Sequence, residues 1–192
     1  MAMYLCGGGS DLKWLKVVDF NFTESVTDSL RGSVATLSNV TRDTNGLNFT
    51  AASSYVDFDS FIDNFNVYPY MAYEIDVGNY SLTAGSTAFN NYFILFNTSS
   101  SNLGIGMNNS NKWVMWTNST ASVINGADGI DFFKNKTIRI ETLDNKNYKI
   151  YADGNLLDTK TFANPALLRL GHTTKSCQGM IIKAMRFYVK NV

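Results

Sequence analysis

The chain has 192 residues with 16 basic and 16 acidic side chains and zero formal charge, so it offers nucleic acid no electrostatic grip, and that class of partner is excluded. No run reaches the roughly eighteen apolar residues that a membrane-spanning helix requires. Three glutamates, Glu24, Glu74 and Glu141, stand against 22 asparagines; this withdraws a strong helix former, supplies a turn former, and points away from helix.

Met1 to Ser10 carries neither a basic n-region nor an apolar h-region, so no secretory signal is expected. Residues 1–11, with Gly7-Gly8-Gly9-Ser10, read as a flexible lead-in, and residues 12–192 as one domain of a size that buries roughly 70% of its unfolded surface. Cys6 and Cys177 sit in no metal-ligand spacing and are expected as free thiols, bridged only if the termini meet.

Short apolar or alternating runs then recur, bounded by Gly, Asn, Asp and Ser. In order they are Trp14 to Phe20, Leu47 to Phe49, Tyr55 to Phe58, Tyr68 to Val77, Tyr92 to Phe96, Leu103 to Met107 and Lys112 to Trp116. The stretch Asn125-Gly126-Ala127-Asp128-Gly129 reads as a loop. Strands are expected again at Thr137 to Thr142, Tyr148 to Ala152, Leu156 to Phe162, Leu167 to Leu170 and Met180 to Val189. So many short strands without an intervening helix predict an antiparallel two-sheet β-sandwich. The clearest local signal is Tyr148-Lys149-Ile150-Tyr151-Ala152-Asp153-Gly154-Asn155, where alternation puts Tyr148, Ile150 and Ala152 on one face and Asp153-Gly154 supplies a two-residue hairpin turn.

Several of these segments together resemble the laminin-G-like, concanavalin A-like jelly roll. The opening does so through Val17-Val18-Asp19-Phe20-Asn21-Phe22, Asp28-Ser29-Leu30-Arg31-Gly32, Gly46-Leu47-Asn48-Phe49 and Ser54-Tyr55-Val56-Asp57-Phe58. The closing part does so through Tyr151-Ala152-Asp153-Gly154, Leu168-Arg169-Leu170-Gly171 and the run from Gly179 to Tyr188. The resemblance implies a sandwich whose last strand pairs beside its first, and a superfamily that includes carbohydrate-binding modules, adhesion modules, glycoside hydrolases and parts of phage particles. Fold does not choose among these.

Glu74-Ile75-Asp76-Val77-Gly78-Asn79 is similar to the Glu-x-Asp-x-x-Glu or Glu-x-Asp-x-Glu strand of laminarinase-like glycosidases. Retaining glycosidases need two carboxylates about 5 to 5.5 Å apart. Here Gly78 and Asn79 occupy the places of the second Glu, so the chain is expected not to be an enzyme and Glu74 and Asp76 to form the polar face of a sheet. The single histidine, His172, has no partners in the sequence that would make a catalytic triad.

Sugar recognition needs flat aromatic faces with amides and carboxylates nearby. Candidates are Trp113 and Trp116, of which strand alternation puts one in the core, Tyr80 and Tyr92, and the amides of Asn79, Asn90 and Asn91. Calcium, a frequent ion of the family, takes oxygen ligands; Asp128 and Asp131 are the candidates, with Asp19, Asp57 and Asp59 also available. Eight Asn-x-Ser/Thr sequons occur, at Asn21, Asn39, Asn48, Asn79, Asn97, Asn108, Asn118 and Asn135, and chance in an asparagine-rich chain accounts for them.

The leading expectation is a non-catalytic module that binds a glycan or cell-surface polysaccharide through loops and one sheet face. A virion structural or host-recognition protein, made in the cytoplasm and released by lysis, is the alternative, with other virion proteins as partners. A laminarinase-like glycoside hydrolase is the third.

Overall fold

A computed structural model describes residues 13–51, 53–58, 70–81, 91–98, 101–108, 110–117, 120–144, 146–161, 169–171 and 178–190, with backbone alone at 91–98, 101–103, 116–117 and 120. Among the described residues there are fifteen strands and no helix. In chain order they are β1 (Trp14–Asn21), β2 (Thr36–Ser38), β3 (Val40–Asp43), β4 (Gly46–Phe49), β5 (Tyr55–Asp57), β6 (Met71–Val77), β7 (Asn91–Thr98) and β8 (Ser101–Met107). They continue with β9 (Lys112–Thr117), β10 (Thr120–Asp128), β11 (Thr137–Thr142), β12 (Asn147–Ala152), β13 (Asn155–Thr161), β14 (Arg169–Gly171) and β15 (Ile181–Lys190).

Among the described residues every strand pairing is antiparallel, and the strands form two sheets. One runs β13-β12-β11-β6-β15-β4-β3, with β1 also paired to β15, and the other runs β10-β9-β8-β7-β14-β5-β2. The last strand does pair beside the first, from Trp14 opposite Lys190 to Asn21 opposite Ala184. The Asp28 carboxylate fastens the following loop to β1, accepting the backbone N–H groups of Asp19 at 2.8 Å and Leu30 at 3.1 Å.

Alternation decides what each strand buries. In β11 Ile138 and Ile140 point inward while Arg139 and Glu141 point outward, and β12 sends Tyr148, Ile150 and Ala152 the same way. Facing them across one continuous core are Val56, Ile105, Met107, Trp113, Met115 and Leu170 of the second sheet. The hairpin after β12 turns on Asp153 and Gly154, at φ 47° and 78°, which is the positive-φ pair that a twisted two-residue turn demands. It is also tied to β11: Asp153 N–H donates to Thr137 O, and Thr137 N–H donates to the Asp153 carboxylate, each at 2.9 Å.

Three strands depart from the sequence expectation. β2 and β3 are short edge strands that carry too few apolar residues to show a period. β10 runs straight through Asn125-Gly126-Ala127-Asp128, which reads as a loop. The reason is a bulge: the register with β9 shifts between Val123 and Asp128, Gly126 takes φ 74°, and the strand absorbs its turn residues without ending.

Candidate functional site

The outer face of the first sheet is built from the residues that alternation sends away from the core. One row crosses five strands in register: Tyr151 opposite Arg139, Arg139 opposite Glu74, Glu74 opposite Arg186, and Arg186 opposite Asp19. Signs alternate along the row from Arg139 to Asp19, so every neighbour attracts. Arg139 donates to Glu74 at 2.8 Å and to Glu141 at 2.9 Å. The Tyr188 hydroxyl donates to Glu74 at 2.7 Å and the Tyr151 hydroxyl to Glu141 at 2.9 Å. Arg186 grips both oxygens of Asp76, which also accepts from the Thr137 hydroxyl at 2.8 Å. Trp14 completes this end, its ring 5.0 Å from the Arg139 guanidinium and 5.2 Å from Lys190 Nζ.

Burial, then the bond to Glu74, pushes the Tyr188 phenol up to about 12, and burial with the bond to Glu141 does the same for Tyr151. Both stay protonated donors at neutral pH. The bond to Asp76 raises the Arg186 guanidinium further. As the sequence suggests, Glu74 and Asp76 share one face of β6; each carboxylate has both oxygens engaged.

Where this face meets the start of β15, a pocket of about 270 Å³ opens, lined by Asn45, Asn79, Asn135, Ile181 and Lys183. Backbone geometry holds each residue in place. Gly78 N–H donates to Ile181 O at 2.8 Å, which sets Asn79 just beyond β6. Asn135 is held in the left-handed region at φ 53° and donates its N–H to Gly78 O at 3.2 Å. Asn45 stands in the β3–β4 turn, its N–H bonded to the Asp43 carboxylate at 2.6 Å, and this bond leads in holding that carboxyl below its usual range. Lys183 is the extra residue of a bulge in β15, because the register with β6 steps from Ile182 opposite Val77 to Ala184 opposite Asp76. A bulge re-aims a side chain, and here it turns Lys183 into the pocket.

Gly78 explains the missing acid. A Cβ there would lie 2.4 Å from Ile181 Cγ2, so a glutamate cannot stand at 78 unless the pocket wall moves. Each Asn amide offers two donors and an acceptor, and three of them beside an ammonium and one aliphatic side chain suit a polyhydroxylated ring.

Of the residues expected to bind a ligand, Asn79 lies in this pocket. Trp113 and Tyr80 do not, and the expectation that they form surface platforms is corrected. Trp113 is fully buried, edge-on to Phe133 at 4.9 Å and to Tyr80 at 6.4 Å, and its indole N–H donates to Gly129 O at 3.0 Å. Tyr80 is buried too; its hydroxyl donates to Ile130 O at 2.6 Å, and burial raises its phenol. Neither ring has a free face. Asn91 and Tyr92 fall in β7 and Trp116 in β9, with backbone described only; Asn90, Asp59, Cys6, His172 and Cys177 lie outside the described residues.

Asp128 and Asp131, the calcium candidates, are each engaged by a lysine, Asp128 by Lys112 and Asp131 by Lys134 at 2.7 Å. Among the described residues no group of three or more His, Cys, Asp or Glu is placed to hold a metal ion, whereas calcium takes about six to eight oxygens. Asp19 and Asp57 are likewise engaged, with Lys16 and Arg169, each at 2.6 Å.

The pocket residues that the sequence did not single out as ligands are Asn45, Asn135, Ile181 and Lys183. Asn45-Gly46 signals a turn, but among 22 asparagines no one amide stands out. A bulge leaves no mark in a strand's composition.

No protein-family model and no curated protein sequence matches the chain. Solved structures do. Trypanosoma rangeli sialidase aligns with a TM-score of 0.68 at 14% identity over 92% of this chain. The chain has an antiparallel two-sheet β-sandwich fold. It spans 31% of that sialidase chain. Domain 4 of AbnA, a GH43 extracellular arabinanase from Geobacillus stearothermophilus solved with arabinotriose, aligns at a TM-score of 0.63 and 14% identity over 92% of this chain and 93% of that one. The binding domain of botulinum neurotoxin serotype D aligns at 0.62 and 14% identity, over 92% and 49%. Glycoside hydrolases thus stand among the similar structures, which corrects the expectation that the chain is not an enzyme: the fold gives no ground for excluding catalysis.

Proposed function

We propose that the chain is a carbohydrate-recognition domain of the laminin-G-like kind and that the pocket formed by Asn45, Asn79, Asn135, Ile181 and Lys183 holds a sugar residue. The observation that carries the reading is the convergence of three amides from three separate connections onto one cavity. The AbnA domain supports it, since a domain of the same fold and nearly the same extent was solved with an arabinose oligosaccharide. Amide N–H groups donate to ring hydroxyls, amide carbonyls accept from them, and Ile181 packs against the C–H edge of the ring.

A glycan array followed by titration calorimetry tests this. Asn79→Ala and Asn135→Gly, the latter because glycine keeps the positive φ at 135, are each expected to weaken binding about three- to tenfold, the loss of a hydrogen bond worth roughly 0.5–1.5 kcal/mol, with the melting temperature unchanged. An array without a hit, together with a stable multimer in light scattering, would favour an assembly role such as a virion component. Full affinity in the double variant would place the sugar elsewhere.

A further inference from the structure

We infer that the sugar held in this pocket carries a negative charge, a carboxylate or a sulfate; this rests on the pocket being the glycan site. Among the five residues that line it, Lys183 is the one with a charge. Four lysines of the described surface are matched, Lys16 with Asp19 at 2.6 Å, Lys134 with Asp131 at 2.7 Å, Lys160 with Asp158 at 2.8 Å, and Lys112 with Asp128, while Lys136 and Lys190 lie over the rings of Phe132 and Trp14. Lys183 has no ion pair among the described residues. Among the described residues its ammonium meets a neutral group, the Asn135 amide oxygen at 3.5 Å, the outer limit of a hydrogen bond.

The nearby carboxylates are spoken for. Asp76 is held by Arg186 and Thr137, and Asp43 is turned into its own loop. A pocket at the other end of the sheet provides the contrast: at about 120 Å³ it is lined by Glu141 and Asp144 as well as Lys149, so it holds charges of both signs. The amide pocket has a positive charge and no negative one. A neutral sugar entering it strips water from the ammonium with only hydroxyl oxygens in return. An acidic group forms a charge-assisted hydrogen bond instead, while the surrounding amide N–H groups donate to its remaining oxygens. The side chain of Ile181 on the wall keeps water back and strengthens that attraction.

The test uses the full chain and matched probes at low salt: oligogalacturonate against its methyl ester, and a sulfated galactan oligosaccharide against its desulfated form. Acidic probes are expected to bind at least tenfold tighter than neutral ones, with the preference shrinking at high salt. Which acidic probe leads tells carboxylate from sulfate. Lys183→Gln should erase the preference for acidic over neutral probes, and Lys183→Arg should restore it; melting temperatures confirm that both fold. Equal binding of acidic and neutral probes, weakened by Asn79→Ala but not by Lys183→Gln, would overturn the charge inference and leave the glycan site standing. No binding by any probe would remove both.

Discussion

Asp144 occupies the turn between β11 and β12, where it accepts the backbone N–H groups of Lys146 at 2.9 Å and Asn147 at 2.7 Å, and the Asn147 side-chain amide at 2.6 Å. The Asn147 N–H leads these bonds, which together hold the carboxyl at about 2. A depressed carboxylate stabilises the fold fully above its unfolded value, about 4, and that contribution is lost as pH falls toward 2. Asp144→Asn should therefore lower the melting temperature at pH 6 and converge with the parent near pH 2; a constant gap across that range would show that the turn does not depend on the charge. Asp144-Asn145-Lys146-Asn147 is legible as a turn because its chemistry is local. Whether Trp113 or Trp116 enters the core is not legible in the same way, since alternation says that they differ without saying which one faces Phe133 and Tyr80.

At the scale of the strand, alternation is written in the chain and phase is not. Arg139 and Glu141 against Ile138 and Ile140 can be assigned to opposite faces by inspection. The steps at Lys183 and at Val17, where β1 skips from Lys16 to Val18, follow from which residue the neighbouring strand can pair with. Gly46 shows what the step at Lys183 requires of its surroundings. It sits at φ 118°, and a Cβ there would meet Ile182 O at 2.3 Å and Lys183 Cα at 3.0 Å. Gly46→Ala is expected to cost more than about 1 kcal/mol, through positive φ and backbone contact together, and to disturb the pocket. Denaturant unfolding gives the first and glycan titration the second. A variant as stable as the parent would mean that β4 can move off β15 freely.

Across the whole molecule, β6 and β15 lie inside the first sheet, paired on both edges, while β13 and β3 end it and β10 and β2 end the other. Hydrogen exchange is expected to be slowest in β6 and β15 and to open first at the ends of the sheets, because local opening follows contact density and exposed backbone bonds. Uniform protection across both sheets would instead mark a single cooperative unit. This arrangement also accounts for what sequence reading reached. The sandwich is encoded redundantly, in a dozen alternating runs, whereas the pocket is assembled from a turn at 45, a strand end at 79, a left-handed residue at 135 and a bulge at 183, and their meeting is a property of the assembled sheet.

The bulge at Lys183 is an insertion on which the rest of β15 does not depend. Ile182, Met185, Phe187 and Val189 are buried while Arg186 and Tyr188 hold the charged row. Ile182 and Met185 stand three positions apart and still face the same core, whereas deleting Lys183 would leave Ile182, Ala184 and Met185 opposite Val77, Asp76 and Ile75 in unbroken register, with Arg186 and Tyr188 on their present face. A descendant of this chain can therefore exchange the lysine, or lose the position altogether, and change what the pocket selects while the frame of the strand stays fixed.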